Sequence, residues 1–253
     1  MSRENQELKI AVFIDLENLA IGVRESRLDK FDFDRVLKRL VEKGDVVTKR
    51  AYADWSQWGE YKRPLHEHAI ELLEMPGSKL TGKNSADIKM VVDALELSYT
   101  KPHIDAFALI SGDSDFSPLV SKLRENNKHT IGIGVKRSTS PLLVDNCDEF
   151  IYYDDLVAKR GRRDLTGLDN VDQRKREAFE QLLGAARALQ RENRQLYGSL
   201  VKDTMKRLQP QFNEEYHGYG SFHEMLEDAQ KHKLLTLQRD ERSGTYVIRD
   251  IQR

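Results

Sequence analysis

The sequence contains a single cysteine, Cys147, among its 253 residues. One thiol cannot form an internal disulfide and leaves no partner for a metal site of the CxxC type. The residues around Cys147 include no activating histidine, so we expect a small buried apolar residue and not a catalytic nucleophile. These observations exclude a disulfide-stabilised scaffold and a cysteine-based zinc centre.

Long hydrophobic runs are also absent. No stretch approaches the roughly 18 apolar residues of a membrane span, and the first residues, MSRENQELK, lack the apolar core of a signal peptide. Charged residues make up 33% of the chain, and the mean hydropathy is -0.65. We therefore expect a cytoplasmic protein with no membrane role.

The charges are unevenly distributed along the chain. Residues 159 to 253 contain 19 Lys and Arg against 15 Asp and Glu, a net charge of +4, which leaves 22 against 27, a net charge of -5, for residues 1 to 158. An acidic half that handles nucleic acid needs cations at its active centre, whereas a basic half can attract phosphate.

Apolar runs and helical patterns alternate through the first part of the sequence. Strands are predicted at 9–14, 45–53, 105–111, 130–135 and 149–153, and helical patterns at 33–43, 63–75, 85–99, 115–126 and 140–147. This alternation is typical of βαβ units, and predicts a three-layer α/β sandwich with a central, mostly parallel sheet. Ligands of such sheets bind outside the carboxyl ends of the strands.

A basic, glycine-containing segment interrupts this alternation after residue 158. We interpret 159–175 as a linker between a first domain, 1–158, and a second domain, 176–253. The second domain has helical patterns at 174–193 and 199–208, a third helix whose start at Ser221 forms a capping box with Glu224, and short strands at 234–238 and 245–249. Three helices followed by a hairpin predict a small winged-helix domain.

Acidic side chains follow two of the predicted strands. Asp15 ends the first strand, and Asp113 and Asp115 follow the strand at 105–111. If these two strands are adjacent, the three carboxylates converge at one edge of the sheet, where their repulsion raises each pKa unless a cation binds. Oxygen ligands of this kind suit Mg²⁺ or Mn²⁺. The alternative for each aspartate taken alone is a helix cap.

The helix at 85–99 contributes two further candidates. Asp87 lies in its first turn, near the same edge, whereas Asp93 lies about 9 Å further along the axis and on another side. We therefore predict Asp87 as a ligand and Asp93 as a supporting residue. Asn18 and Ser111 are predicted to orient ligands or substrate.

The segments FIDLENL, SADIKMVVDAL and LISGDSDFSPLV, spread over roughly residues 8–157, together resemble the NYN family of PIN-like nuclease domains, including its LabA-like bacterial group. The resemblance implies a PIN-like α/β sandwich and metal-dependent ribonuclease activity. It carries over Asp15, Asp87, Asp113 and Asp115 as the catalytic, metal-holding centre, and Asn18 and Asp93 as further matching positions.

Residues 176–250 resemble the LOTUS, or OST-HTH, domain through GSLVKDTMKRLQPQFNEEYHGYGSFHEMLEDAQ and the closing TYVIR. LOTUS domains resemble winged helices that bind RNA, and some dock proteins instead. The predicted RNA contacts combine basic and aromatic groups. They are Lys159, Arg160, Arg162 and Arg163 in the linker, and Lys202, Lys206, Arg207 and Tyr219 in the domain. The alternative is that these are solvated charges and a packed ring.

Three functional hypotheses remain open on the sequence. The first is a Mg²⁺- or Mn²⁺-dependent ribonuclease acting on single-stranded or structured RNA, recruited by the second domain. The second is a regulator that binds RNA or docks a protein without cutting. The third is a Toprim-type site, which requires a glutamate at the end of the first strand, where Glu17 is the candidate. PIN-like folds permit a homodimer, but no sequence feature decides this.

Overall fold

The computed structural model describes residues 8–74, 85–158, 171–240 and 245–251. The chain divides into two compact units, Met1–Ala158 and Lys159–Arg253. Within the described ranges, no helix is long and apolar enough to cross a membrane. The predicted linker residues 159–170, including Lys159, Arg160, Arg162 and Arg163, lie outside the described residues.

The first unit is built around a six-stranded sheet whose strand order is β3-β2-β1-β4-β5-β6. Every neighbouring pair is parallel. The two central strands, β1 and β4, are buried almost throughout, as expected for continuous apolar runs in a parallel sheet. The strands are β1 Leu8–Asp15, β2 Gly44–Ala53, β3 Glu71–Glu74, β4 Ala106–Ile110, β5 His129–Gly134 and β6 Glu149–Tyr152.

Helices cover both faces of this sheet. Alternate residues of β1 enter two separate hydrophobic clusters, with Ile14 in one and Phe13 in the other. The first cluster includes residues of α1, α2, α3 and α7, and the second includes residues of α4, α5 and α6. The predicted α/β sandwich is confirmed. The helices are α1 Leu16–Glu25, α2 Phe33–Lys43, α3 Lys62–Glu67, α4 Ser85–Thr100, α5 Ser117–Glu125, α6 Pro141–Asn146 and α7 Tyr153–Val157.

The single helix predicted at 63–75 is wrong. Helix α3 ends at Glu67, and Ala69 adopts a left-handed φ of 51°, which terminates the helical path. The following residues form β3, which pairs with Arg50–Ala53 of β2. Leu72 packs against the first hydrophobic cluster and Leu73 against the second, on the other face of the sheet. Successive residues of a strand point to opposite faces, so a strand buries both side chains, whereas a helix that continued α3 would not.

Helix α1 was not predicted, because the sequence pattern after Asp15 reads as a turn. The helix begins at Leu16, directly after β1, and Asp15 is its N-cap. Asn18 therefore lies in the first helical turn.

The second unit contains three helices followed by an antiparallel hairpin, in the predicted order. The helices are α8 Gln173–Arg191, α9 Gly198–Leu208 and α10 Phe222–Lys231, and the strands are β7 Leu235–Arg239 and β8 Tyr246–Ile251. The predicted start of the third helix is confirmed, since the Ser221 side chain accepts a hydrogen bond from the Glu224 N–H. One feature was missed: Tyr197, between α8 and α9, forms an antiparallel bridge with Val247 of β8.

Candidate functional site

Asp15 lies at the carboxyl end of β1, beside the end of β4, because Ile14 pairs with Ile110. Its side chain is buried, with 7% exposure. The Ser111 hydroxyl donates to Asp15 Oδ2 at 2.9 Å, and the Asn18 N–H donates to Oδ1 at 3.2 Å. Both carboxylate oxygens are therefore held by donors of the protein.

The loop after β4 is fixed by the same network. The Asp113 N–H donates to Ser111 Oγ at 3.1 Å, and Asn18 Oδ1 accepts the Gly112 N–H at 2.8 Å. Asp113 in turn caps a short 3-10 turn, since its Oδ1 accepts the Asp115 N–H at 3.0 Å. Asn18 and Ser111 thus connect the end of β1 to the backbone that carries Asp113.

Gly112 is enclosed by the loop after β5. A Cβ atom at this position would lie 2.5 Å from the Ser138 carbonyl oxygen and 2.9 Å from Thr139 Cα. The Gly112 carbonyl also accepts the Ser140 N–H at 2.9 Å. The position therefore requires glycine, a constraint that the sequence does not reveal because it arises from a segment 26 residues away.

Three of the predicted carboxylates, Asp15, Asp87 and Asp113, interact electrostatically. Burial raises the pKa of Asp15 to about 7, and the hydrogen bonds from Ser111 and Asn18 offset only part of this effect. The negative charges of Asp87 and Asp113 raise the same pKa further. Asp87 in the first turn of α4 is thus near enough to Asp15 for repulsion, whereas Asp115 is exposed on the 3-10 turn.

The donor chemistry of this cluster fits a hard divalent cation. Carboxylate and hydroxyl oxygens are ligands that Mg²⁺ and Mn²⁺ accept, and a bound cation would relieve the repulsion at Asp15. However, among the described residues no three His, Cys, Asp or Glu side chains are already arranged to hold a metal ion. Asp15 and Asp113 accept hydrogen bonds from protein N–H and O–H donors instead. Each carboxylate oxygen has a second lone pair, so these bonds leave room for coordination of a cation.

Asp93 belongs to a different contact. Its side chain is only 5% exposed, its Oδ2 accepts the Tyr52 hydroxyl at 2.9 Å, and its Oδ1 pairs with Lys89 at 2.5 Å. These bonds connect α4 to β2. The structure therefore gives Asp93 a role in holding α4, the helix that carries Asp87, against the sheet.

Replacing Asp93 by alanine is expected to destabilise the first unit by about 1–3 kcal/mol, because the buried Tyr52 hydroxyl loses its acceptor. Asp93→Asn keeps an oxygen at that position and should cost less. Thermal unfolding followed by circular dichroism compares the two variants with the wild type. An alanine variant as stable as the asparagine variant would show that the bond from Tyr52 contributes nothing.

Glu17 is the glutamate that a Toprim-type site would use. The hydrogen bond that the structure shows for its side chain leads away from Asp15. Glu17 Oε1 accepts the Asp54 N–H at 3.1 Å, at the end of β2. It therefore connects α1 to the neighbouring strand.

The predicted RNA contacts in the second unit separate into exposed and buried groups. Lys206 is exposed and Arg207 is half-buried on α9, while Lys202 forms an ion pair with Glu214 at 2.7 Å. Tyr219, in contrast, is 2% exposed and donates its hydroxyl hydrogen bond to Asp228 at 2.9 Å. Contrary to the prediction, a ring covered in this way cannot stack on a base.

Comparison with known proteins gives three findings. The family model described as "NYN domain" matches residues 9–154. An uncharacterised protein of Methanocaldococcus jannaschii is 32% identical over 145 residues, which are 57% of this chain and 55% of that protein, so the chain spans about half the length of this relative. The fold is also similar to the crystal structure of a protein of unknown function from Vibrio parahaemolyticus, with a TM-score of 0.53 and 28% identity, covering 62% of this chain and 98% of that one. The chain therefore belongs to the NYN family, whose domains are part of the PIN-like nuclease superfamily.

Proposed function

We propose that this protein is a Mg²⁺- or Mn²⁺-dependent ribonuclease that hydrolyses RNA phosphodiester bonds. The observation that carries the proposal is the buried Asp15 carboxylate at the end of β1, with Asp87 and Asp113 close enough to raise its pKa. Membership of the NYN family supports the same reaction class. A buried carboxylate beside two like charges is unfavourable for stability alone, and perturbed carboxylates of this kind concentrate at functional sites.

The proposed roles follow from the contacts. Asp15, Asp87 and Asp113 hold the cation, and Asp115 is the fourth candidate ligand. When bound, a divalent cation lowers the pKa of water and offsets charge on a phosphodiester. Ser111 orients the Asp15 carboxylate through its hydroxyl, and Asn18 holds the Gly112 backbone so that Asp113 keeps its position.

The second unit is proposed to be a LOTUS-type winged helix that recruits RNA, with domain limits of 1–158 and 176–253 around a linker at 159–175. The order of its helices and hairpin supports this assignment. Residues 159–253 have a net charge of +4, of which residues 159–175 contribute +3, and this charge together with the basic groups of α9 favours attraction of phosphate. We further propose that the protein acts in the cytoplasm.

A second candidate function is a regulator that binds RNA, or docks a protein, without cutting. It is favoured by one observation: in the described residues, the carboxylates point at protein donors and no metal arrangement is preset. In this case the cluster would stabilise the loop after β4 and perform no chemistry.

The test is incubation of the purified protein with labelled single-stranded RNA, structured RNA and DNA, in Mg²⁺, in Mn²⁺ and in chelator. We expect RNA cleavage with metal and none with chelator. Cleavage that continues in chelator would contradict the metal-dependent mechanism. RNA that is bound but stays intact with either metal would support the regulator instead.

A further inference from the structure

The second unit contains an open cleft of about 440 Å³. Its walls come from the first turn of α9, the segment before α10, the first turn of α10 and the start of β8. This volume lies within the range of small-ligand sites, about 300–1,000 Å³. The cleft is thus large enough for a small ligand or for one unit of a polymer.

Two aromatic rings line the cleft side by side. His223 lies in the first turn of α10, and Tyr246 is the first residue of β8; their ring centroids are 5.6 Å apart with an interplanar angle of 48°. The Tyr246 hydroxyl donates to Glu227 Oε1 at 2.6 Å, which restrains the ring. The exposed His223 ring and the half-buried, restrained Tyr246 ring can each provide a stacking surface for a nucleobase.

Charges of both signs lie beside the rings: Lys202, Glu214 and Glu215 line the cleft, and Lys206 lies one turn further along α9. Burial would raise the pKa of Glu214, but the hydrogen bond from Lys202 and the charges of Lys202 and Lys206 hold it below its usual value. The charge of this carboxylate is thus already balanced by the lysines of α9. A phosphate would have to approach from the α9 side of the cleft, where Lys202 and Lys206 attract it and where Lys202 already balances the charge of Glu214.

Polar groups complete the walls. The exposed Ser199 hydroxyl lies at the first turn of α9, whose N-cap residue, Tyr197, makes no side-chain capping bond. Asn213 uses its carbonyl oxygen to accept the Glu215 N–H, which leaves its NH₂ group as a donor. A base edge and a sugar phosphate both offer acceptors for such donors.

We propose that this cleft binds one nucleotide of single-stranded RNA, with its base against His223 and Tyr246 and its phosphates beside Lys202 and Lys206. The inference rests on the proposed function, because it identifies how the second unit would hold the RNA. It also adds His223 and Tyr246 to the RNA-binding residues and replaces Tyr219, the aromatic group chosen from the sequence.

The experiment measures binding of the full-length chain to a short labelled single-stranded RNA by fluorescence anisotropy in chelator. His223→Ala and Tyr246→Leu are each expected to weaken binding about tenfold, the usual order for loss of one stacking ring. Tyr246→Phe keeps the ring and should rescue binding relative to Tyr246→Leu. The matched control is Tyr216→Ala, which removes a 58% exposed ring that does not line the cleft, and it should bind as the wild type does.

A second readout does not depend on any variant. Titration with nucleoside 5′-monophosphates is expected to shift the NMR signals of the His223 and Tyr246 rings and to leave the Tyr216 signals in place. Unchanged ring signals, or wild-type RNA affinity in both His223→Ala and Tyr246→Leu, would overturn the proposal. A peptide would then be the alternative ligand of the cleft.

Because binding is measured without metal, its outcome is separate from that of the nuclease assay. RNA binding lost in the cleft variants, in a protein that never cleaves RNA, would support the cleft and contradict the nuclease. RNA cleavage by a protein whose cleft variants bind normally would contradict the cleft alone.

Discussion

Asp15→Asn and Asp113→Asn are each expected to reduce RNA cleavage about a thousandfold. Asparagine has the size of aspartate and still accepts a hydrogen bond, but it lacks the charge that the cation requires. A bound metal contributes several kcal/mol to such reactions, and about 1.4 kcal/mol corresponds to a factor of ten in rate. The measurement is the initial rate of cleavage of labelled RNA at saturating Mn²⁺.

The matched control is Asp105→Asn. Asp105 precedes the same strand, β4, but lies at its opposite end, where its Oδ2 accepts the Lys9 N–H at 3.0 Å. This variant removes a charge of the same kind from the amino edge of the sheet, and its cleavage rate should match that of the wild type. Full cleavage by Asp15→Asn, or equal losses in Asp105→Asn, would contradict the proposed centre.

A separate readout distinguishes loss of chemistry from loss of folding. Because burial raises the pKa of Asp15, the charged carboxylate is disfavoured in the folded, metal-free protein, and this cost is largest above pH 7. Asp15→Asn removes it. The melting temperature of the metal-free variant at pH 8 should therefore be no lower than that of the wild type, while cleavage is lost.

Gly112→Ala is expected to reduce cleavage about a hundredfold. The new Cβ atom would lie 2.5 Å from the Ser138 carbonyl oxygen, a backbone atom, so the loop that carries Asp113 must move. A displacement of about 1 Å at reacting groups can cost a factor of about 100 in rate. The same assay compares this variant with the wild type.

Gly59→Ala is the control for this substitution. A Cβ atom at Gly59 meets nothing within 4 Å, and its backbone is not among the positive-φ glycines. The control is expected to keep both stability and cleavage. If Gly112→Ala cleaves RNA at the wild-type rate, the contact with the loop after β5 does not position Asp113.

Much of the fold could be predicted from residue patterns alone. Apolar runs such as 9–14 and 105–111 identify strands buried on both faces, because a parallel sheet covered by helices has no solvated side. The errors occurred where local pattern and tertiary pairing disagree. Residues 71–74 follow helical spacing in the sequence, yet they pair with β2, since only the strand buries Leu72 and Leu73 on opposite faces.

The candidate site shows the same division between local and tertiary information. Strand ends placed Asp15 and Asp113 at the carboxyl edge, but only the pairing of β1 with β4 brings Asp15 and Ser111 within 2.9 Å. The buried position of Tyr219 was equally invisible, because its partner, Asp228, lies on the helix that follows. The residues next to an aromatic side chain in a turn do not indicate whether its ring is exposed or buried.

By itself, the sequence determined the class of the fold, the order of its elements apart from α1, β3 and α7, and the set of carboxylates at the strand ends, since these depend on periodicity and on residue type. The tertiary structure decided which of these side chains meet, because proximity depends on strand order and on loops distant in sequence. It therefore grouped Asp87 and Asp113 with Asp15, assigned Asp93 to the contact with Tyr52, and formed the cleft at His223 and Tyr246.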